Sequence, residues 1–312
     1  MVARRAHNPE VAGSNPAPAT NIKLMSDKLG IIGQGFVGSA VREGMKNHFE
    51  IFAFDKDPHK FSNVSSILEV IENTDVAFLC VPTPMQKNGE CYLGILGAAL
   101  NEIAEAVESL KKDNYVVVIK STVPPGSTDH LNSIFTKLDI VFNPEFLTEA
   151  NAVEDYKNQN RIIVGGERPG STKVKQVFLK AFPQIPIIKT SSKIAEMIKY
   201  VTNTFLATKV SFANEMYQIC QGLDIDYDKV IEYAKYDDRL GQSHWSVPGP
   251  DGDLGFGGHC FPKDIAALQF VAKGLGVDDT ILNAAIRKNE QVRTNLDWTK
   301  QVGRAVIDEH GN

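Results

Sequence analysis

The chain has 312 residues, 43% of them apolar and 23% charged, an ordinary globular composition with room for two domains. Lys plus Arg number 33 against 38 Asp plus Glu, a net charge of −5, so no basic excess exists to neutralise a phosphate backbone, which argues against a nucleic-acid partner. No apolar run approaches the roughly 18 residues a membrane span needs, which argues against a membrane protein.

Residues 1–24 are rich in Pro, Ala and Asn, lack periodicity and carry no apolar core of a secretory signal. Translation is expected to start at Met25, with the preceding stretch a non-native or disordered extension. From Leu29 onward, short apolar runs alternate with helical stretches. The runs are Leu29–Ile32, Ile51–Phe54, Val76–Val81, Tyr115–Ile119, Ile140–Phe142, Ile162–Val164 and Ile185–Ile188. Several are continuously apolar, as strands covered on both faces are. Helices are expected at Gly38–Lys46, Leu96–Leu110, Ser127–Leu138 and Ser171–Phe182. Such alternation predicts an α/β fold with a doubly wound parallel sheet of Rossmann type over residues 25–189. A mainly helical domain is expected over 190–293. It is built on one long helix, Ser192–Gln221, with further helices at Asp228–Ala234, Asp264–Lys273 and Asp279–Arg293. Residues 294–312 are expected to form a tail.

The first strand runs into Gly33-Gln34-Gly35-Phe36-Val37-Gly38, which opens a helix. Gly33 permits a tight turn, Gly35 lets the backbone approach a pyrophosphate, and Gly38 lets helix and sheet pack closely. The Phe36-Val37 helix start offers N–H groups to the phosphates. Asp55 closes the second strand, where a carboxylate accepts ribose hydroxyls and repels a 2′-phosphate, so NAD is expected rather than NADP. Thr83 and Thr122 stand in loops after two further strands, at the crevice rim, as hydroxyl donors or as parts of ordinary turns.

Gly255-Phe256-Gly257-Gly258-His259-Cys260-Phe261-Pro262-Lys263-Asp264 carries the sharpest chemical signal. Pro262 suits the first position of a helix, which sets Cys260 just before a helix N-terminus with Lys263 one turn away, an arrangement that favours thiolate. The glycines are read as making room for a ligand. Cys80 and Cys220 read as small buried residues and Cys91 as a turn residue; His259 is given no role. The four cysteines form no CxxC pair, so neither a metal knuckle nor a disulfide scaffold is expected, and a reducing cytoplasm suits them. On the long helix, Lys199 and Asn203 share a face, solvated or functional. Asn143-Pro144-Glu145-Phe146-Leu147-Thr148-Glu149 brings two carboxylates to the rim.

Together these stretches resemble the UDP-glucose/GDP-mannose dehydrogenase family, in family order over residues 28–290. The matching segments include GQGFVG, VPTP, KSTVPPGST, NPEFLTEANAVEDY and GFGGHCFPKD. The resemblance implies a four-electron oxidation with two NAD, taking a nucleotide sugar's 6-alcohol to the uronic acid. UDP-glucose is the expected substrate; UDP-N-acetylmannosamine or GDP-mannose are alternatives. It implies Cys260 as nucleophile, Glu145 as hydrolytic base, Lys199 at developing oxyanions, and Asp264 with Thr122 around a water. It further implies that Asn203, Gly257 and the Phe146–Leu147 backbone position the sugar, Glu149 lines the nicotinamide side, and Lys263 lies by the cofactor. Arg239 would reach a neighbouring subunit's substrate in a homodimer built through the long helix. Family members usually carry a third domain that grips the nucleotide, whereas this sequence stops at Asn312. Its loop Gly241–Asp253 is also longer than the usual link, and Trp245 there either stacks on a base or caps a core. A two-electron 3-hydroxyacid dehydrogenase and an inactive NAD-binding module are the rival readings.

Overall fold

The computed structural model describes residues 26–307, so the expectation for residues 1–24 lies outside the described part. The first half of the chain runs β1 (Lys28–Ile32), α1 (Phe36–Met45), β2 (Glu50–Phe54), α2 (Ile67–Asn73), β3 (Val76–Leu79), α3 (Gly94–Ser109) and β4 (Tyr115–Ile119). It continues with α4 (Ser127–Ile134), β5 (Leu138–Phe142), α5 (Ala152–Lys157), β6 (Ile162–Gly165), α6 (Gly170–Ala181) and β7 (Ile187–Thr190). Then follow α7 (Ser192–Gly222), α8 (Tyr227–Ala234), α9 (Cys260–Gly274) and α10 (Thr280–Val292). Short 3-10 turns occupy Asp238–Leu240 and Asp297–Lys300.

The seven strands form one sheet in the order β2-β1-β3-β4-β5-β6-β7. Alternation along each strand divides the core in two. Val117 and Ile119 join Leu79, Leu96 and Ile103 on one face, while Val116 and Val118 join Ile31, Phe78 and Phe178 on the other. Every residue of β4 is buried, which is why its sequence is continuously apolar. Each such side chain contributes about 1.5–3 kcal/mol by leaving water. The strand order reverses between β1 and β3, and there the carboxyl ends open a crevice.

The sheet is not wholly parallel, contrary to expectation: β6 meets β5 antiparallel, at Phe142 and Gly165. The chain between them runs across the carboxyl rim and carries only the short α5, so it never makes the long return that a parallel crossover requires. Helix α4 stops at Ile134, not Leu138, because Leu138 already pairs with Tyr115 at the start of β5.

Helix α7 leaves the sheet from an N-cap at Ser191 and is tied back to it by Glu196. That buried carboxylate accepts the Gly126 N–H at 2.5 Å and the Thr128 N–H at 2.8 Å, at the start of α4. Farther along, α9 and α10 pack on α7 around Ala207, Phe256, Ile265 and Ala285. Residues 294–307 do not trail away as a tail: Trp298 and Ala305 are buried, and Val306 bridges to Met85 of the first half. Among the described residues, no helix is long and apolar enough to cross a membrane.

Candidate active site

Gly33 ends β1 with φ +91°, and a Cβ there would meet the Cys80 carbonyl at 2.7 Å. Gly38 has no room for a Cβ against the Gly33 carbonyl, whereas at Gly35, the N-cap of α1, a Cβ would point into open space. Protein packing therefore demands two of the glycines, and the third leaves a hollow at a helix N-terminus, the shape a pyrophosphate requires. Asp55 anchors the turn: Oδ2 accepts the Gln34 N–H at 2.6 Å and Oδ1 the Asp57 N–H at 2.9 Å. Each oxygen retains acceptor capacity for a ribose hydroxyl. The buried Gln34 Oε1 has no hydrogen-bond partner in the chain. The residues present thus fit NAD. Across the crevice, the Thr83 hydroxyl donates to the Thr122 carbonyl at 2.7 Å, locking the two strand-end loops together.

Thr83, Met85 and Cys91 from one side meet Tyr200, Lys263 and Asp264 from the other around a small crevice. Helix α9 begins at Cys260, not just beyond it, with Pro262 two residues inside. Asp264, one turn on, is buried; its Oδ2 accepts from Asn203 Nδ2 at 2.6 Å and its Oδ1 from Lys263 Nζ at 2.5 Å. Lys199, one turn before Asn203 on α7, donates to the Glu145 carbonyl at 2.6 Å and to Glu145 Oε1 at 2.8 Å. The other carboxylate oxygen accepts the Leu147 N–H at 2.7 Å. That amide is therefore engaged within the loop and not free for a sugar. The Arg161 guanidinium and the Lys199 ammonium lie over the Phe146 ring, at 4.3 and 5.6 Å from its centre.

Burial works to raise the Glu145 carboxyl, but Lys199, the Leu147 N–H and Lys120 outweigh it and hold the group below its ordinary value. Lys120 is itself a buried ammonium, bonded to Asn143 Oδ1 at 2.8 Å, and burial brings it down to about 8. Glu145, Lys199, Lys263 and Asp264 all act electrostatically on the Cys260 thiol. The expected thiolate is not what this environment favours. Burial, and then the Glu145 charge, push the thiol up to about 12, overriding the helix start and both lysines.

The glycine loop before Cys260 also differs from its reading as open space for a ligand. A Cβ on Gly255 would overlap Asn289 Oδ1, and one on Gly257 would overlap Arg293 Nη2 and Asp297 Oδ1. Only Gly258, at φ +67°, faces open space. Gly257, expected beside the sugar, is thus a packing position for Arg293. Trp245 caps a core with Tyr227, Ile231 and Val247, its indole N–H donating to the Gly241 carbonyl at 2.9 Å. Arg239 is exposed and paired with Asp237, outside the Cys260 cluster. Glu149 faces His259 Nδ1 at 3.3 Å and accepts from Arg304 Nη2 at 2.7 Å.

His259, assigned no role from the sequence, is buried with its ring edge-to-face on Phe36 at 5.2 Å, joining the glycine turn to the Cys260 loop. Burial, then the Arg304 charge, keep it below the usual imidazole value. Lys120, Asn289, Arg293, Asp297 and Arg304 were also missed. Asn289 and Arg293 stand one turn apart near the end of an expected helix, the single signal that could have flagged a pair acting together.

Residues 59–182 match the UDP-glucose/GDP-mannose dehydrogenase family, NAD binding domain, and residues 193–291 match the central domain of the same family. The UDP-glucose 6-dehydrogenase TuaD of Bacillus subtilis (strain 168) is 36% identical over 239 residues, 74% of this chain and 50% of the relative. A UDP-glucose 6-dehydrogenase of Rickettsia conorii is 35% identical over 248 residues, 78% of this chain and 55% of its own length. This chain therefore spans about half the length of the curated relatives it matches. Among solved structures, a UDP-glucose dehydrogenase from the hyperthermophilic archaeon Pyrobaculum islandicum superposes with a TM-score of 0.77 at 28% identity, covering 88% of this chain and 70% of that one. With both domain matches in order on a Rossmann-type sheet, the chain belongs to the UDP-glucose/GDP-mannose dehydrogenase family, and its cofactor is NAD.

Proposed function

We propose that the protein oxidises the 6-alcohol of a nucleotide sugar, UDP-glucose, to the uronic acid through a covalent bond to Cys260. The observation that supports this most is the cluster itself. One thiol at a helix start lies within the fields of Glu145, Lys199, Lys263 and Asp264, beside the loops of the dinucleotide crevice. A binding-only module needs none of these groups, and a two-electron dehydrogenase needs no nucleophilic sulfur. The named relatives are UDP-glucose 6-dehydrogenases, which favours that sugar.

NAD, when bound at the glycine turn, supplies the hydride acceptor for both oxidations. Asp264, held by Asn203 and Lys263, keeps with Thr122 the water that takes the proton of the C6 hydroxyl. The Cys260 S–H then adds across the resulting aldehyde: the S–C6 bond forms and the thiol proton ends on oxygen. Addition of the neutral thiol suits a sulfur whose pKa burial has raised. Lys199 stabilises the negative charge that develops on that oxygen before the proton arrives. In the second oxidation the proton of that hydroxyl leaves through the same water and the C6 hydrogen leaves as hydride to the acceptor, so C6 becomes a thioester. Glu145, ionised because Lys199 faces it, takes a proton from the attacking water; the C6–S bond breaks and Cys260 regains its proton.

The unit before residue 190 holds the cofactor and the helical unit after it carries the nucleophile. Ile194, Val201, Phe205, Phe212 and Ile219 stand exposed along α7, supporting a homodimer through that helix, in which Arg239 reaches the other subunit's substrate. Counting NADH against sugar consumed tests the reaction. Two NADH per UDP-glucose are expected, and one would replace it by a two-electron oxidation. A monomer by light scattering would remove the dimer.

A further inference from the structure

Residues 294–307 touch both halves of the crevice. At one end, Asp297 Oδ2 accepts the Gly258 N–H at 2.9 Å, two residues before Cys260. Its Oδ1 accepts from Arg293 Nη2 at 3.0 Å, and the same buried guanidinium donates to Asp251 at 2.6 Å and to the Leu254 carbonyl at 3.3 Å. At the other end, the Met85 N–H donates to the Ala305 carbonyl at 2.8 Å and the Ile307 N–H to the Met85 carbonyl at 3.2 Å. Met85 directly follows the Thr83-Pro84 loop of the dinucleotide crevice. Between these ends Arg304 pairs with Glu149, which faces His259 beside the nucleophile.

We propose that residues 294–307 form a strap that holds the Cys260 loop against the NAD-binding half, with Asp297 as the positioning residue. Three features carry this. First, the Gly258 N–H, in a turn at φ +67°, is held by a carboxylate 39 residues away rather than by its own loop. Second, Gly257 admits no side chain because Arg293 and Asp297 fill its space, so the loop is shaped around this pair. Third, Trp298 and Ala305 are buried, which seats the strap by apolar contact as well as by hydrogen bonds. The consequence for the reaction proposed above is that the sulfur's place relative to the cofactor is set from outside α9.

The test is the rate at which iodoacetamide alkylates Cys260 in the full chain at one fixed pH, read by peptide mass spectrometry. Cys220, buried in a different cluster under α8, serves as the internal reference for general loosening. Asp297→Ala is expected to raise the Cys260 rate several-fold and leave Cys220 unchanged, while Asp297→Asn, which keeps an oxygen for the Gly258 N–H, stays near the parent rate. Arg304→Gln cuts the half-exposed middle contact, to Glu149, and is expected to raise the Cys260 rate as well; it keeps the test available if Asp297→Ala fails to fold. A Cys260 rate within about twofold of the parent in Asp297→Ala (or, should that variant not fold, in Arg304→Gln), or a parallel rise at Cys220, overturns the strap. Alkylation needs no turnover. A protein inactive on nucleotide sugars that still shows strap-dependent alkylation would refute the proposed reaction and leave the strap standing.

Discussion

Lys199 Nζ stands 2.8 Å from Glu145 Oε1, with both side chains almost wholly removed from water, and the same ammonium donates to the Glu145 backbone carbonyl at 2.6 Å. The pair joins α7 to the rim of β5. It sets a buried carboxylate and a buried cation side by side, and both bear electrostatically on the Cys260 thiol.

Removing one partner of a buried pair leaves the other charge uncompensated, which costs about 3–5 kcal/mol. Lys199→Ala is therefore expected to lower the urea midpoint at pH 7 sharply, and adding Glu145→Gln to recover part of the loss. The sign with pH follows from the lowered Glu145 carboxyl: its contribution is present above the ordinary carboxylate pKa and fades as acid titrates the folded protein below that value. Lys199→Ala should reverse this limb, becoming relatively more stable on acidification. An unchanged midpoint at pH 7 would show that the pair does not form.

Burial holds the Cys260 thiol near 12, so alkylation of this residue by iodoacetamide should be slow at pH 7 and still climbing past pH 10. A plateau between pH 7 and 8 would mean a stable thiolate and would undo the neutral-thiol addition.

Two glycine variants separate packing from ligand space. Gly35→Ala should fold with parent stability, since its Cβ meets nothing, while the KM for NAD rises about tenfold or more because the methyl occupies the pyrophosphate hollow. Gly257→Ala should instead lose stability through collision with Arg293 and Asp297. Thermal melts and NAD titrations on the two variants check the contrast, and the opposite pattern would misplace the cofactor.

Asp55→Asn preserves an oxygen for the Gln34 N–H and gives up the Asp57 N–H, so the turn should survive on the shorter of its two bonds. Loss of the carboxylate should weaken NAD by roughly tenfold to a hundredfold and bring NADP closer to it in KM. Steady-state kinetics with both cofactors decides this; an unaltered preference would move the ribose away from Asp55.

Much of this was legible because local rules and tertiary needs coincide. The first strand, its glycine turn and Asp55 form a contiguous unit whose spacing is fixed by one βαβ crossover, and Lys199 and Asn203 reach one face simply by being a turn apart. Glu145 and Asp264 act on the same thiol from distant parts of the chain, and only the likeness to a family, not spacing, pointed to them together. Illegible were contacts with no local signature. Arg304 lies 155 residues from Glu149, Asp297 39 from Gly258, and nothing near either residue marks its partner. The antiparallel β6 was missed for a related reason, since its direction depends on where the preceding rim loop is spent. The thiolate expectation failed because a helix start is a local favour, whereas desolvation depends on what the whole fold stacks above the sulfur.

The proposed reaction passes through an acyl bond at Cys260, and Glu145→Gln is the variant that should trap it, because the base for hydrolysis is gone while the thiol and Lys199 remain; turnover should fall by about 10²–10⁴-fold. Intact-protein and peptide mass spectrometry after incubation with UDP-glucose and NAD is the direct measurement. The expected result is a mass increase equal to the acylated nucleotide sugar, localised to Cys260. An unmodified Cys260 in a variant that still folds and binds NAD would contradict the covalent route.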